Sequence, residues 1–121
     1  MDEQSTIADD VDVYAVREIH IGAFTTISQY TYLCGATHDY EDPAFPLVPR
    51  PIHIGSRVWL AADVFVAPGV TIADGAVVGA RSAVFRDLEG WTVYLGIPAR
   101  PVRPRRYRGE TTETHEAGPE T

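Results

Sequence analysis

Aliphatic residues recur along this chain with a period of six. Every sixth position from residue 54 to residue 84 is aliphatic, and the series is Ile54, Leu60, Val66, Ile72, Val78 and Val84. In most units the next residue is small, and the fifth position is small or β-branched. An α-helix, with about 3.6 residues per turn, would distribute these residues all around its axis. The period therefore predicts a parallel β-helix built from hexapeptide repeats.

Each hexapeptide is expected to form a short strand followed by a turn. Its aliphatic residue points inward, and its small residue lies where the backbone bends sharply. Three hexapeptides form one triangular coil, and the coils stack through parallel strand hydrogen bonds about 4.8 Å apart. The aliphatic side chains then line the inside of a prism.

The same period begins earlier in the chain, in two sets that are out of step by two residues. The first set is Ile7, Val13 and Ile19; the second is Ile21, Ile27 and Leu33, with Thr25, Thr31 and Thr37 at the later positions of its units. We interpret the step as a local insertion at a corner near Glu18 to His20. The chain then contains about twelve hexapeptides, or roughly four coils.

Two proline-rich segments interrupt the repeats. Residues 39–53 contain four prolines, which lack the N–H that regular strand pairing requires, so this segment is predicted to be an excursion loop. Three more prolines after Gly96 are predicted to end the solenoid. The expected organisation is a disordered leader over 1–6, a β-helix domain over 7–104 and a disordered tail over 105–121 that is acidic from Glu110.

Composition narrows the possible partners and compartments. The chain has 121 residues and a net charge of −7, which disfavours binding to nucleic acid or to an anionic membrane surface. No apolar run is long enough for a signal sequence or for membrane insertion. A single cysteine, Cys34, excludes an intrachain disulfide framework, so the expected compartment is cytoplasmic.

Several motifs resemble one known family, the hexapeptide-repeat acyltransferases. The match extends over roughly residues 7 to 104 and is carried by YLCGATHDY (32–40), IGSRVW (54–59), PGVTI (68–72), VGARS (78–82) and GIPAR (96–100). Within this family the chain is most similar to sugar O-acetyltransferases of the galactoside, maltose and colanic-acid type. The segment THDY (37–40), followed by DPAFP (42–46), points to the colanic-acid branch. The resemblance implies a left-handed β-helix, acetyl-CoA as co-substrate without a required metal, and a sugar acceptor.

His38 is the candidate general base. A sugar hydroxyl is a poor nucleophile, and its attack on a thioester is assisted by a group that titrates near neutral pH, which imidazole does. The resemblance implies a ternary complex with direct acyl transfer, so Cys34 is not expected to be a nucleophile. A surface histidine without a role is the alternative. Asp39 is a weaker candidate for orienting the imidazole or contacting substrate, as is Tyr40 for contacting substrate.

Further site residues follow from the resemblance. Coenzyme A contacts map onto the backbone of Ala62 and Ala80 and onto Arg86, although Phe85 replaces the threonine that relatives have before this basic residue. Arg100 and Arg103 are expected to reach the nucleotide phosphates, because a guanidinium is well suited to phosphate; a solvated face is the alternative. Trp59 is expected to line the cleft that holds the acceptor or the pantetheine arm. The alternative is that it packs against the proline-rich loop or against a neighbouring subunit.

The resemblance also implies a homotrimer with its clefts between adjacent prisms. The same fold also serves other acceptors, such as serine or an amino sugar, and two other functions stay open. A shortened solenoid is also compatible with a non-catalytic assembly module. The γ-class carbonic anhydrases use the same solenoid, and His20, His38 and His53 are spaced so that all three could share one corner, but the spacing of histidines typical of that class is missing.

Overall fold

A computed structural model describes residues 5–8, 11–14 and 19–108 of the chain. These residues form short strands and turns and contain no helix, hence none that could cross a membrane. The strands are β1 (Thr6–Ile7), β2 (Asp12–Tyr14), β3 (Ile19–Ile21), β4 (Thr26–Ile27), β5 (Tyr32–Cys34), β6 (Ala36–His38), β7 (Leu47–Pro49), β8 (Ile52–Ile54), β9 (Trp59–Leu60), β10 (Phe65–Val66), β11 (Thr71–Ile72), β12 (Val77–Val78), β13 (Ala83–Val84), β14 (Thr92–Leu95) and β15 (Arg100–Pro104).

Most strands stack in parallel into three sheets, which are the faces of a prism. The first face is β1-β4-β9-β12-β14, the second is β2-β5-β10-β13 and the third is β3-β8-β11. Trp59 pairs with Val77 and Phe65 with Ala83, so one coil takes three hexapeptides. The predicted all-β class and the parallel stacking are confirmed. The left-handed sense and the number of coils stay predictions, and the corner proposed near Glu18 lies partly outside the described residues.

The aliphatic residues of the repeat form the core, as predicted. Those with no exposed surface include Ile27, Leu33, Leu60, Val66, Ile72, Val78 and Val84. Burying a side chain of this size contributes about 1.5–3 kcal/mol relative to exposure. The six-residue period therefore corresponds to the aliphatic position that each hexapeptide buries in its strand.

The corners differ from the prediction in where the backbone bends. Left-handed φ angles occur at the fourth position of the repeat, for example 60° at Phe24, 59° at Arg57 and 66° at Arg81, and not at the small second position. The second position is small for another reason, since a Cβ at Gly55 would lie 2.2 Å from the Asp74 carboxylate of the next coil. Its size is limited by the stacking of the coils.

Two threonines satisfy buried backbone groups at early corners. The fully buried Thr25 hydroxyl donates to the Gly55 carbonyl (2.7 Å) and accepts from the Val58 N–H (3.1 Å). Thr31 repeats the arrangement with the next corner, at 3.1 and 3.3 Å. Thr37, which the period places in the same series, is exposed on β6 instead.

The proline-rich segment is a β-hairpin and not an irregular loop over 39–53. Strands β6 and β7 pair antiparallel, and residues 52–53 already belong to β8 on the third face. The Asp39 N–H donates to the Pro46 carbonyl (3.1 Å) and the Arg50 N–H donates to the Gly35 carbonyl (2.9 Å). In an antiparallel pair, only every second residue of a strand forms hydrogen bonds with its partner strand. Pro49 is next to Arg50, which does so, and its own nitrogen therefore points away from β6, where the missing hydrogen is tolerated.

The described chain is also ordered slightly beyond both predicted domain limits. At the start, Thr6 pairs with Thr26, and the Ser5 hydroxyl donates to the Gly22 carbonyl. At the end, β15 turns back antiparallel on β14, and the Arg105 N–H donates to the Trp91 carbonyl (2.8 Å). The rest of the predicted leader and tail, residues 1–4 and 109–121, lies outside the described residues.

Candidate active site

His38 ends β6 and lies on the hairpin, outside the wall of the prism, where its side chain is exposed. Its Nδ1 is 3.1 Å from the Phe45 carbonyl oxygen, and its ring stacks on the Phe45 ring with centroids 4.1 Å apart and planes 10° from parallel. A carbonyl oxygen only accepts, so Nδ1 carries the hydrogen of this bond. In the neutral ring Nε2 then has a free lone pair, as a general base requires.

The two residues that follow His38 begin the turn of the hairpin, which spans residues 39–46. The Asp39 carboxylate accepts the Glu41 N–H at 3.1 Å, so in this arrangement it caps the turn and does not orient the imidazole. Tyr40 is 82% exposed at the tip. Whether either side chain contacts substrate stays a prediction.

Trp59 lies on the first face, with its indole N–H donating to the Ser28 hydroxyl at 3.1 Å. The side chain is 47% exposed and borders a cleft of about 320 Å³. The rest of this cleft is lined by Phe24, Thr26, Arg57, Val58, Arg105 and Tyr107, which come from the prism and the C-terminal segment. Within one chain, therefore, Trp59 borders an open cleft and not the hairpin that carries His38.

The residues expected at coenzyme A fall into separate groups. Ala62 and Ala80 lie at one corner, between the first and second faces, and the Arg81 N–H donates to the Ala62 carbonyl at 2.9 Å. Arg86 and Arg100 border one small cleft, of about 70 Å³. Arg103 lies on β15 opposite Val93 and does not line this cleft. The structure thus brings Arg86 and Arg100 together and leaves Arg103 apart.

An arginine–aromatic cluster at the corner between the third and first faces was not predicted from the sequence. The Arg105 guanidinium donates to the carbonyls of Arg57 (2.6 Å) and Gly75 (2.9 Å) and lies over the rings of Tyr107 and Trp91. Burial lowers the pKa of Arg105 from its ordinary value. The sequence features that indicate this cluster are Trp91 and the arginine and tyrosine residues just after β15. The residues after β15 were predicted to belong to the disordered tail.

His20 and His53 stack on the third face, with ring centroids 4.7 Å apart. His38 does not join them, because its ring packs on Phe45. Over residues 5–8, 11–14 and 19–108, no group of three or more histidine, cysteine, aspartate or glutamate side chains is placed to hold a metal ion. The carbonic-anhydrase alternative thus lacks the three-histidine corner on which it depends.

Comparison with known proteins supports the resemblance. The chain is 52% identical over 99 residues to the putative colanic acid biosynthesis acetyltransferase WcaF of Escherichia coli K12, an alignment that covers 82% of this chain and 54% of that protein. The chain therefore spans about half the length of this curated relative. No protein-family model matches it.

Solved structures share the fold. A maltose O-acetyltransferase from Clostridium difficile superposes with a TM-score of 0.72 at 22% identity, over 87% of this chain and 68% of the other. A galactoside acetyltransferase in complex with coenzyme A superposes with a TM-score of 0.63 at 26% identity, over 82% and 64%. The repeat, the motifs and these relatives show that the chain belongs to the hexapeptide-repeat acetyltransferase family.

Proposed function

We propose that this chain carries the acyl-transfer site of an acetyl-CoA-dependent O-acetyltransferase whose acceptor is a hydroxyl of a sugar or polysaccharide precursor. The observation that carries the proposal is the arrangement at His38. Its Nδ1 faces the Phe45 carbonyl on an exposed hairpin, which leaves Nε2 available to an incoming hydroxyl. The name of the colanic-acid relative and the coenzyme A bound to the galactoside enzyme support the choice of substrates.

The reaction proceeds by direct transfer within a ternary complex. Nε2 of His38 takes the proton of the acceptor hydroxyl as the oxygen attacks the thioester carbonyl. A backbone N–H stabilises the oxyanion of the tetrahedral intermediate. Its collapse breaks the carbon–sulfur bond, and the coenzyme A thiolate leaves and takes up the proton held by His38. The products are the acetylated sugar and free coenzyme A.

Cys34 takes no part in this scheme. Its thiol is half-buried beside β6 and lies within hydrogen-bond distance of the Ala36 carbonyl, 3.2 Å away. An acyl-enzyme on this sulfur would require a thiolate, which a neighbouring base or positive charge normally favours. The direct attack of the acceptor makes such an intermediate unnecessary.

Coenzyme A is proposed to bind along the corner formed by Ala62 and Ala80, with its phosphates near Arg86 and Arg100, which border one cleft. The contact expected for Arg103, which lies apart from them, stays a prediction. In a single chain His38 follows the second face whereas Trp59 lies on the first, so these groups do not meet. A homotrimer would bring the hairpin of one prism beside the first face of the next. The complete site is therefore proposed to lie between two subunits.

The test is acceptor-dependent release of the coenzyme A thiol. Purified protein is mixed with acetyl-CoA and a panel of mono- and oligosaccharides, for the wild type and for His38→Ala, and the mass of the assembly is measured in parallel. We expect a sugar that stimulates thiol release in the wild type only, with both proteins trimeric. Coenzyme A binding without stimulation by any sugar would contradict the proposed acceptor class. A lack of binding would favour the non-catalytic assembly module.

A further inference from the structure

Phe45 contacts His38 in two different ways. Its carbonyl oxygen lies 3.1 Å from Nδ1, at the edge of the imidazole, and its ring covers one face of that imidazole at 4.1 Å. The hydrogen bond determines which nitrogen faces the hairpin, and the stack limits rotation of the ring about its own bonds. One residue therefore constrains both the tautomer and the plane of the histidine.

The backbone at Phe45 has an uncommon conformation. Its φ is +52°, in the left-handed region that bulky residues seldom adopt. Among the residues that the structure describes, the other non-glycine residues with positive φ lie at corners of the prism, where the repeat demands the bend: Phe24, Tyr30, Arg57, Asp63, Arg81 and Trp91. No repeat demands it at Phe45, so the local contacts of the hairpin must hold this conformation.

Asp42 supplies those contacts. Its carbonyl accepts the Phe45 N–H at 2.8 Å, and its carboxylate accepts the Ala44 N–H at 2.9 Å. Directly after Phe45 the chain rejoins the ladder, where Leu47 pairs with His38. The turn and the ladder thus fix the backbone on both sides of Phe45, which directs its carbonyl and its ring to the same imidazole.

We propose that Phe45 is a positioning residue for His38: its ring and its left-handed backbone hold the imidazole with Nδ1–H toward the hairpin and Nε2 toward the acceptor. This inference rests on the proposed function for its catalytic consequence. The tautomer and orientation of the His38 ring can be measured without any acyl transfer.

Two substitutions test whether Phe45 holds the imidazole. Phe45→Gly removes the ring, and because glycine also adopts many other backbone conformations, it no longer holds the carbonyl on Nδ1. Phe45→Tyr keeps an aromatic ring for the stack and is the conservative control. The first measurement is the ¹⁵N NMR spectrum of histidine-labelled full-length protein above the titration range of imidazole, with the His38 signals assigned from a His38→Gln sample. The second is steady-state acyl transfer, with coenzyme A affinity and assembly mass as checks on folding.

In the wild type and in Phe45→Tyr we expect the ¹⁵N chemical shift of His38 Nδ1 to be that of a protonated ring nitrogen. The shift of Nε2 should be that of an unprotonated one. In Phe45→Gly the two shifts should move toward each other as the tautomers mix. The value of kcat should fall about tenfold, since small misplacements of a reacting group are costly, while KM for acetyl-CoA stays the same.

A wild-type His38 protonated at Nε2 would overturn the inference, as would a Phe45→Gly protein with unchanged ¹⁵N shifts and kcat. An absence of acyl transfer in the wild type would contradict the proposed function. The ¹⁵N shifts of the wild type and of Phe45→Gly would then decide whether Phe45 positions the His38 ring.

Discussion

Replacing Thr25 with valine tests how the corners of the prism are stabilised. Valine has nearly the shape of threonine, so Thr25→Val creates no cavity, but it removes the hydroxyl that bonds the Gly55 carbonyl at 2.7 Å and the Val58 N–H at 3.1 Å. Each buried backbone group that loses such a partner costs about 1–3 kcal/mol. Because two such groups lose their partner, we expect the free energy of unfolding to fall by about 2–6 kcal/mol, a large part of the roughly 5–15 kcal/mol of a typical domain.

The assay is urea unfolding followed by tryptophan fluorescence, at one protein concentration for all variants because association contributes to apparent stability. Thr26→Val is the matched control, since the neighbouring Thr26 side chain is exposed on the first face. It should change stability by less than about 0.5 kcal/mol. Thr25→Ser keeps the hydroxyl and should lose about 1 kcal/mol for the missing methyl group. Equal effects of Thr25→Val and Thr26→Val would show that the Thr25 hydroxyl does not stabilise the corner.

Three further predictions concern the corner cluster, the thiol and the cofactor site. Gly75→Ala should lower the free energy of unfolding by about 1–3 kcal/mol in the same urea assay, because its Cβ would lie 2.2 Å from the Trp91 ring and its φ is +78°; unchanged stability would contradict this packing. Cys34→Ala should retain kcat for acyl transfer, and a loss comparable with that of His38→Ala would point to a covalent intermediate. Arg86→Ala and Arg100→Ala should each raise the Kd for coenzyme A, measured by calorimetry, with a weaker salt dependence than the wild type; an unchanged Kd would place the phosphates elsewhere.

The core could be predicted from the sequence because one physical rule determines it. Each hexapeptide buries the aliphatic side chain at its first position, so the six-residue period of Leu60, Val66 and Ile72 appears directly in the chain. This rule does not predict the backbone conformation at the corners. Arg57 adopts a left-handed φ of 59° with no glycine to indicate it, because stacking of the coils imposes the bend on the residue that occupies it.

The proline-rich segment shows the limit of reasoning from residue type. A proline excludes strand pairing only where its nitrogen faces the partner strand, and the register of Pro49 depends on a turn that the sequence does not specify. Likewise, Arg105 is one of several arginines near the C-terminus, and only the folded corner shows which of them reaches the carbonyls of Arg57 and Gly75.

The candidate site was predictable in part. His38 was predicted by its motif, and its stack on Phe45 was not, because the two residues meet only when the hairpin closes. The approach of Arg86 to Arg100 depends in the same way on how the chain turns after β14.

The most direct test of the central claim is the rate of acetyl-sugar formation by His38→Gln at saturating acetyl-CoA and acceptor, compared with the wild type. We expect kcat to fall by about 10²–10⁴-fold, the usual contribution of a general base, while the Kd for coenzyme A and the mass of the assembly are unchanged. A variant that retains the wild-type kcat would contradict the assignment of His38 as the base.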